Sequence, residues 1–399
     1  MKPLLFLCHR LPYPPDKGDK IRSFHVLEAL RSRFAVHLGT FVDAEEDWAH
    51  VDLLRARTAS LCVRPLSRRR ATLRSFTGLL TGEALTLPFY RDAGLKLWVH
   101  QLLRTEPRMC GALVYSSGMA QYVSDEPLPV KVMDFCDLDS DKWAQYARSR
   151  GWPARWLYAR EARKLARAEG DIARAFDHSL FVSELESALF RERQADLAGR
   201  VATLGNGVDT DYFDPARSPA RETTGRPHLV FTGAMDYWAN IDAVRWFVDE
   251  CWPVLRQRHP QAQFSIVGSK PSAEVQQLAL RDGVCVTGRV PDVRPWLSAA
   301  DVVVAPLRIA RGVQNKVLEA MAMARPVAAT SAALQGLGAV TAPEVASGDT
   351  AGEFAQAVEH LLMRARQGAD ASANRDFVIA RFGWEATLRP LWPLLERAA

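Results

Sequence analysis

The residues best placed to do chemistry fall between Arg311 and Thr330. A strand signal, Asp301-Val302-Val303-Val304-Ala305-Pro306, leads into Arg311-Gly312-Val313-Gln314-Asn315-Lys316-Val317-Leu318-Glu319-Ala320-Met321-Ala322 and closes with Arg325-Pro326-Val327-Ala328-Ala329-Thr330. The pattern is strand, glycine loop, helix, strand. Gly312 lets the backbone approach a ligand closely, and a helix starting near Val313 points unpaired N–H groups at an anion. A diphosphate suits that place. Lys316 and Glu319 stand three apart and share a face near the helix start. There the ammonium can meet phosphate oxygens and the carboxylate can accept two hydrogen bonds from ribose hydroxyls. Together they fit a nucleotide sugar. On an ordinary helix the same two residues would be a surface ion pair worth about 0.2–0.5 kcal/mol, and spacing alone leaves both readings open.

Two further clusters lie in the first half. Asp134-Phe135-Cys136-Asp137-Leu138-Asp139-Ser140-Asp141-Lys142-Trp143 places four aspartates at a strand end. Asp139 or Ser140 suits the N-cap of the helix that follows. The run lacks the glycine and terminal glutamate of a calcium loop. Capping with Asp134, Asp137 and Asp139 lining a cleft is the favoured reading, and no metal is expected. The other cluster, from Pro12 to His25, follows the first strand and opens a helix, with Gly18, Asp19 and Arg22 as candidate acceptor or cleft residues. It carries no dinucleotide fingerprint, and motif-level evidence favours Lys17, Lys20 and Arg22 as solvated side chains over catalytic ones.

The elements that would hold these residues follow from the alternation of short apolar runs with longer helical patterns, the mark of repeated βαβ units and a parallel sheet. Strands are expected at 4–8, 35–41, 112–115, 130–135 and 179–182, and in a second series at 228–232, 263–267, 284–287, 302–305 and 326–330. The Ala-, Arg- and Glu-rich stretch 143–175 should be mostly helical, with a break at Pro153. At 399 residues the chain is long enough for two domains. The expected division is 1–213, a linker at 214–227, a second domain at 228–375, and a terminal helix at 376–399 that crosses back to the first. Two doubly wound α/β domains would then face a central cleft, with ligand at the carboxyl ends of the strands.

Composition excludes several classes. Hydrophobic residues make up 48% and charged residues 24%, which fits a folded globular chain. No window is apolar enough to span a bilayer. The six cysteines are scattered without zinc or redox spacing and read as buried free thiols in a reducing cytoplasm. Net charge is a modest +5, but Arg64, Arg68, Arg69, Arg70 and Arg74 crowd into eleven residues ahead of Phe76-Thr77-Gly78-Leu79-Leu80. That is either a solvated face or an arginine-flanked apolar segment on an anionic membrane. Nucleic-acid binding fits less well, because no recognition-module pattern accompanies the arginines.

The run around Lys316 resembles the donor-binding motif of glycosyltransferase family 4, in which two glutamates stand eight positions apart around a glycine loop ahead of an Ala-Met-Ala helix. Glu319 matches the second glutamate, and the first falls on Arg311, a departure at the position that faces the donor sugar in the family. The stretch from Phe231 through Gly233 to Asn240 is similar to the family's first donor-domain strand and turn. The arginine and lysine that often hold the diphosphate there fall on Ala234 and Ala239. Lys316, with Arg311 or Arg308, would then supply the positive charge. Asn206-Gly207-Val208-Asp209 looks like the interdomain signature, and Gly268 and Gly288 match strand-end glycines.

This resemblance covers residues from about 201 to 385 well and the first half in outline. Ser116 to Tyr122 and the aspartate run most resemble the exopolysaccharide or exosortase-associated subgroup. The resemblance implies a GT-B fold and a retaining, metal-independent sugar transfer with no cofactor. Lys316, Glu319 and Arg311 would be catalytic, and Gly233, Asn240, Gly268, Gly312, Val313, Asn315 and Asn206 would bind the donor. The partners would be a nucleoside diphosphate sugar and a glycan or lipid-linked glycan, in the cytoplasm or peripherally on the inner face of its membrane. A non-catalytic scaffold of polysaccharide assembly and a same-fold epimerase are the competing readings.

Overall fold

In the computed structural model the described residues are 1–15, 18–148, 151–219, 225–310 and 312–396. Arg311 and Lys17, both singled out above, lie outside them, as does part of the 214–227 segment. The chain divides into two compact units, one of Met1–Gly205 with the chain from Leu388, the other of Asn206–Thr387.

The first unit is built on seven parallel strands: β1 (Lys2–Cys8), β2 (Phe34–Val42), β3 (Ser60–Pro65), β4 (Ala112–Tyr115), β5 (Lys131–Cys136), β6 (His178–Phe181) and β7 (Val201–Thr203). Their order is β3-β2-β1-β4-β5-β6-β7, so the winding reverses beside β1, as a doubly wound sheet requires. Leu4, Leu5, Phe6 and Leu7 are all buried, which follows from helices covering both faces of a parallel sheet. The helices that matter below are α1 (Gly18–Arg31), α2 (Arg68–Ser75), α3 (Thr77–Thr81), α4 (Asp139–Arg148) and α5 (Ala154–Ala175). Pro153 stands at the start of α5, where its fixed φ and missing N–H cost nothing. In this sheet two strands were not expected, β3 and β7, a half-polar strand and a three-residue strand at the two edges.

The second unit holds six parallel strands: β8 (His228–Thr232), β9 (Gln263–Val267), β10 (Val284–Gly288), β11 (Val302–Ala305), β12 (Val327–Ala329) and β13 (Val345–Ser347). Their order is β10-β9-β8-β11-β12-β13, again doubly wound. Helices α6 (Trp238–Trp246), α7 (Asn315–Ala322), α8 (Ala351–Arg366) and α9 (Ser372–Phe382) pack on it. Phe247 and Phe264 meet at 4.7 Å between ring centroids inside the core.

The unit boundaries differ from the sequence expectation, and the reason is local. Residues after Gly205 belong with the second unit because the Val208 N–H donates to the Phe382 carbonyl at 2.8 Å. Arg375 also donates to the carbonyls of Thr210 and Phe213, at 2.9 and 2.6 Å. Helix α9 stays in that unit too, with Val378 in its core. Only from Leu388 does the chain join the first unit, where Arg33 pairs with Glu396 at 2.8 Å and lies over the Trp392 ring at 4.3 Å. The cysteines are mixed: Cys8, Cys110 and Cys251 are buried, but Cys285 is exposed on β10, correcting the expectation of buried thiols. No helix among the described residues is long and apolar enough to cross a membrane.

Candidate functional site

The second unit gathers its candidate residues where β8 and β9 end. Gly233 follows β8 and Gly268 follows β9, and their backbones touch: a Cβ on Gly268 would fall 1.6 Å from the Gly233 carbonyl oxygen. No other residue type fits there. Asn240, buried in the first turn of α6, donates from Nδ2 to the Ala234 carbonyl at 2.8 Å and so fixes the turn after Gly233. Its Oδ1 accepts from Lys316 Nζ at 2.5 Å. The Lys316 ammonium also lies 4.2 Å from the Phe231 ring centroid, and 3.2 Å from where a Cβ on Gly233 would be. Lys316 is thus aimed across the end of β8 over bare backbone. Among the described residues Asn240 is its one hydrogen-bond partner, which leaves N–H donors for a ligand.

Glu319 lies one turn further along α7. Its carboxylate makes no hydrogen bond among the described residues. Burial raises its carboxyl to about 7, against the pull of Lys316. Burial likewise lowers the Lys316 ammonium to about 7, against the pull of Glu319. In both groups burial outweighs the opposite charge of the other, so each is shifted towards its neutral form.

The loop before α7 meets the expectation in part. Gly312 has φ +64°, a left-handed conformation that suits glycine. Gly336, which sequence reasoning missed, packs against it, since a Cβ there would lie 2.4 Å from the Gly312 carbonyl. The helix begins at Asn315 rather than near Val313, because Gln314 takes the extended N-cap conformation and gives no side-chain cap. Val313 therefore packs on the core before the helix, and Asn315 is exposed in its first turn. Of the cations considered as phosphate partners, Arg308 is held by Asp242 on α6. Ala234 is exposed and Ala239 buried, so neither position brings charge. Lys270 was not among the expected phosphate cations. It follows Gly268 with φ +53°, and its ammonium lies 3.4 Å from Asp236 in the Gly233 turn. Its signal was its place just after a strand-end glycine. Asn206 is not part of this cluster in sequence: it opens the unit, followed by Gly207 packed against the Trp384 ring.

In the first unit the structure corrects several expectations. Arg22 and Asp134 are 1% and 2% exposed and bind each other through two hydrogen bonds, of 2.8 and 3.1 Å. Arg22 also donates to the carbonyls of Leu204 and Gly205, both at 2.8 Å. A buried charge needs such a partner set, so these two residues join α1, β5 and the end of β7 rather than line a cleft. Lys20 is no solvated side chain either; it is 1% exposed and donates to Asp47 at 2.7 Å. Asp137 and Asp139 share Lys142, at 2.6 and 3.5 Å. The helix α4 is capped from elsewhere: the Ser140 N–H donates to Glu169 on α5 at 3.0 Å, and the Leu138 N–H to Glu186 at 2.8 Å. Burial pushes the Glu169 carboxyl up to about 8.

Gly18 opens α1 with open space around it. Asp19 accepts from Arg10 at 2.5 Å and lies 3.4 Å from His9 Nε2. Burial opposes its ionisation, but His9 and Arg10 outweigh it and hold the carboxyl below the usual range. His9 and Arg10, just past the end of β1, line a cavity of about 240 Å³ with Asp43, Arg68, Thr72 and Tyr90. A larger cavity of about 570 Å³ lies at the opposite, amino ends of the second sheet, by His228, Gln263, Val284 and Asp301. None of the candidate residues lines it, and the strand carboxyl ends remain the place for chemistry.

Residues 226–364 match the family model of group 1 glycosyl transferases, a stretch that contains the whole Lys316 cluster. No curated protein sequence matches the chain. Solved structures share its fold along the full length. A glycosyltransferase from Rickettsia africae ESF-5 matches with TM-score 0.66 at 12% identity, over 100% of this chain and 98% of that one. Anabaena HepE in complex with UDP and glucose matches with TM-score 0.62 at 15% identity, over 100% of both chains. Sucrose-phosphate synthase from Thermosynechococcus elongatus matches with TM-score 0.63 at 18% identity, over 100% of both. The fold is therefore GT-B, and residues 226–364 are similar to group 1 glycosyl transferases.

Proposed function

We propose that this protein is a glycosyltransferase that moves a sugar from a nucleoside diphosphate sugar to a hydroxyl acceptor with retention at the anomeric carbon. The observation that carries the reading is the Lys316 ammonium, steered by Asn240 across the Gly233 and Gly268 backbones, with the unpartnered Glu319 carboxyl beside it. Lys316 meets the diphosphate, and Glu319 accepts from the ribose hydroxyls. The bond from the anomeric carbon to the phosphate oxygen breaks, and the electron pair leaves with the phosphate. The acceptor oxygen bonds to the same face while its proton passes to the departing phosphate oxygen. The protein's work is to position both substrates and to stabilise the charge that builds on the leaving group. Exopolysaccharide or another cell-surface glycan is the product class we assign, from the likeness of the aspartate run to that subgroup.

The test is calorimetry with a panel of nucleoside diphosphates and their sugars, beginning with UDP and UDP-glucose because HepE structures hold them. Wild type should bind one nucleotide selectively, and Glu319→Ala should weaken it at least tenfold. Absence of binding across the panel would favour a scaffold, a reading that the uncharged Ala234 and Ala239 positions support. Interconversion of the donor sugar without any acceptor would favour an epimerase.

A further inference from the structure

In the first unit α2 and α3 turn large apolar side chains to water. Leu73 is 71% and Leu80 90% exposed, with Phe76 and Leu79 beside them. Helix α5 runs alongside: Arg160 donates to the Gly78 carbonyl at 2.6 Å, and Glu161 accepts from the Leu85 N–H at 2.7 Å. One turn before Arg160 stands exposed Trp156, and just ahead of the helix Trp152, 85% exposed. Single exposed apolar residues are ordinary, but six on adjoining elements make a patch, and patches mark contact surfaces. Arg69 and Arg70 stand on α2 one turn before Leu73, and Arg155 and Arg163 stand on α5 next to Trp156 and two turns beyond it; all four are exposed, and none pairs with a carboxylate among the described residues.

The charge selects the occupant. A second copy placed by a two-fold axis would set these arginines against themselves. An anionic lipid surface complements them while taking up the leucines and the indoles, which favour the boundary between headgroups and acyl chains. We propose that this face docks the protein on an anionic membrane. Helix α2 has another side as well: Arg68 donates to Asp43 at 2.9 Å and, with Thr72, lines the cavity that holds His9 and Tyr90. Docking therefore brings one wall of that cavity to the lipid, where a lipid-linked hydroxyl acceptor resides. This last step rests on the sugar-transfer reading; the docking does not.

The test is co-sedimentation of the full chain with phosphatidylcholine vesicles, with and without about 30 mol % phosphatidylglycerol. Wild type should partition onto the anionic vesicles at least tenfold more strongly than onto the neutral ones, and less so at high salt. The Leu73→Ser/Leu80→Ser variant should lose at least tenfold of that partition, and Arg69→Gln/Arg70→Gln should lose its preference for anionic lipid. Both changes are at exposed positions and should leave nucleotide binding intact, so a failure of nucleotide binding and a failure of docking are read separately. Equal sedimentation of wild type and the leucine variant, or no binding to anionic vesicles, would overturn the proposal. So would a concentration-dependent dimer that the leucine variant abolishes.

Discussion

Lys316 carries its charge below about pH 7 and loses it above, because burial disfavours the ammonium. A diphosphate favours the charged form, and the diphosphate of a nucleotide sugar keeps its own charge through that range. With the neighbouring carboxyl removed as Glu319→Gln, so that Lys316 alone titrates there, the residual donor affinity should therefore fall as pH rises from about 6.5 to about 8.5, with proton uptake on binding at the alkaline end, read by calorimetry in buffers of different ionisation heat. Lys316→Arg should flatten the pH dependence, since a guanidinium stays protonated throughout. Gly268→Ala should destabilise the protein by about 1–3 kcal/mol or more in urea unfolding, because its Cβ has no room beside the Gly233 carbonyl. Gly18→Ala, with open space around it, should change little. Lys316, Glu319 and the strand-end glycines were legible because a strand, a glycine and a helix in succession fix where a side chain points. The Lys316 to Asn240 bond was not, since it joins residues 76 apart in sequence. Gly336 and Lys270 escaped for the same reason: their importance comes from what another segment brings against them.

At the scale of elements, α4 depends on a carboxyl contributed by α5. The Glu169 pKa is raised in the fold above its ordinary value of 4.5, to about 8. The folded state then binds the extra proton, so this contribution to stability is full below the unfolded pKa and is lost as pH rises through the folded one. Thermal unfolding should show wild type losing ground to Glu169→Gln between about pH 5 and about pH 8, while Glu169→Ala, which strands the Ser140 N–H, should cost about 1–3 kcal/mol. Asp134→Ala should cost about 3–5 kcal/mol by leaving Arg22 buried and unpaired. The central strands were readable as continuous apolar runs. The edge strands β3, β7 and β13 were not, because an edge strand need not be apolar on both faces. Lys20 and Arg22 looked solvated because a charged residue gives no sign in its own sequence of a buried carboxylate waiting elsewhere.

For the whole molecule, two units with separate cores should unfold in two calorimetric transitions. A nucleotide at about a hundred times its dissociation constant should stabilise the transition of the second unit by about 2.7 kcal/mol and leave the first in place. The units differ in how the chain supplies them. Residues Asn206–Thr387 form the second from one uninterrupted stretch, whereas the first is finished by the segment from Leu388, tied down through Arg33, Trp392 and Glu396. During synthesis on the ribosome the second unit can therefore be complete while the first still waits for the segment from Leu388, and a nick between Thr387 and Leu388 would be felt in the first unit, far back in the chain.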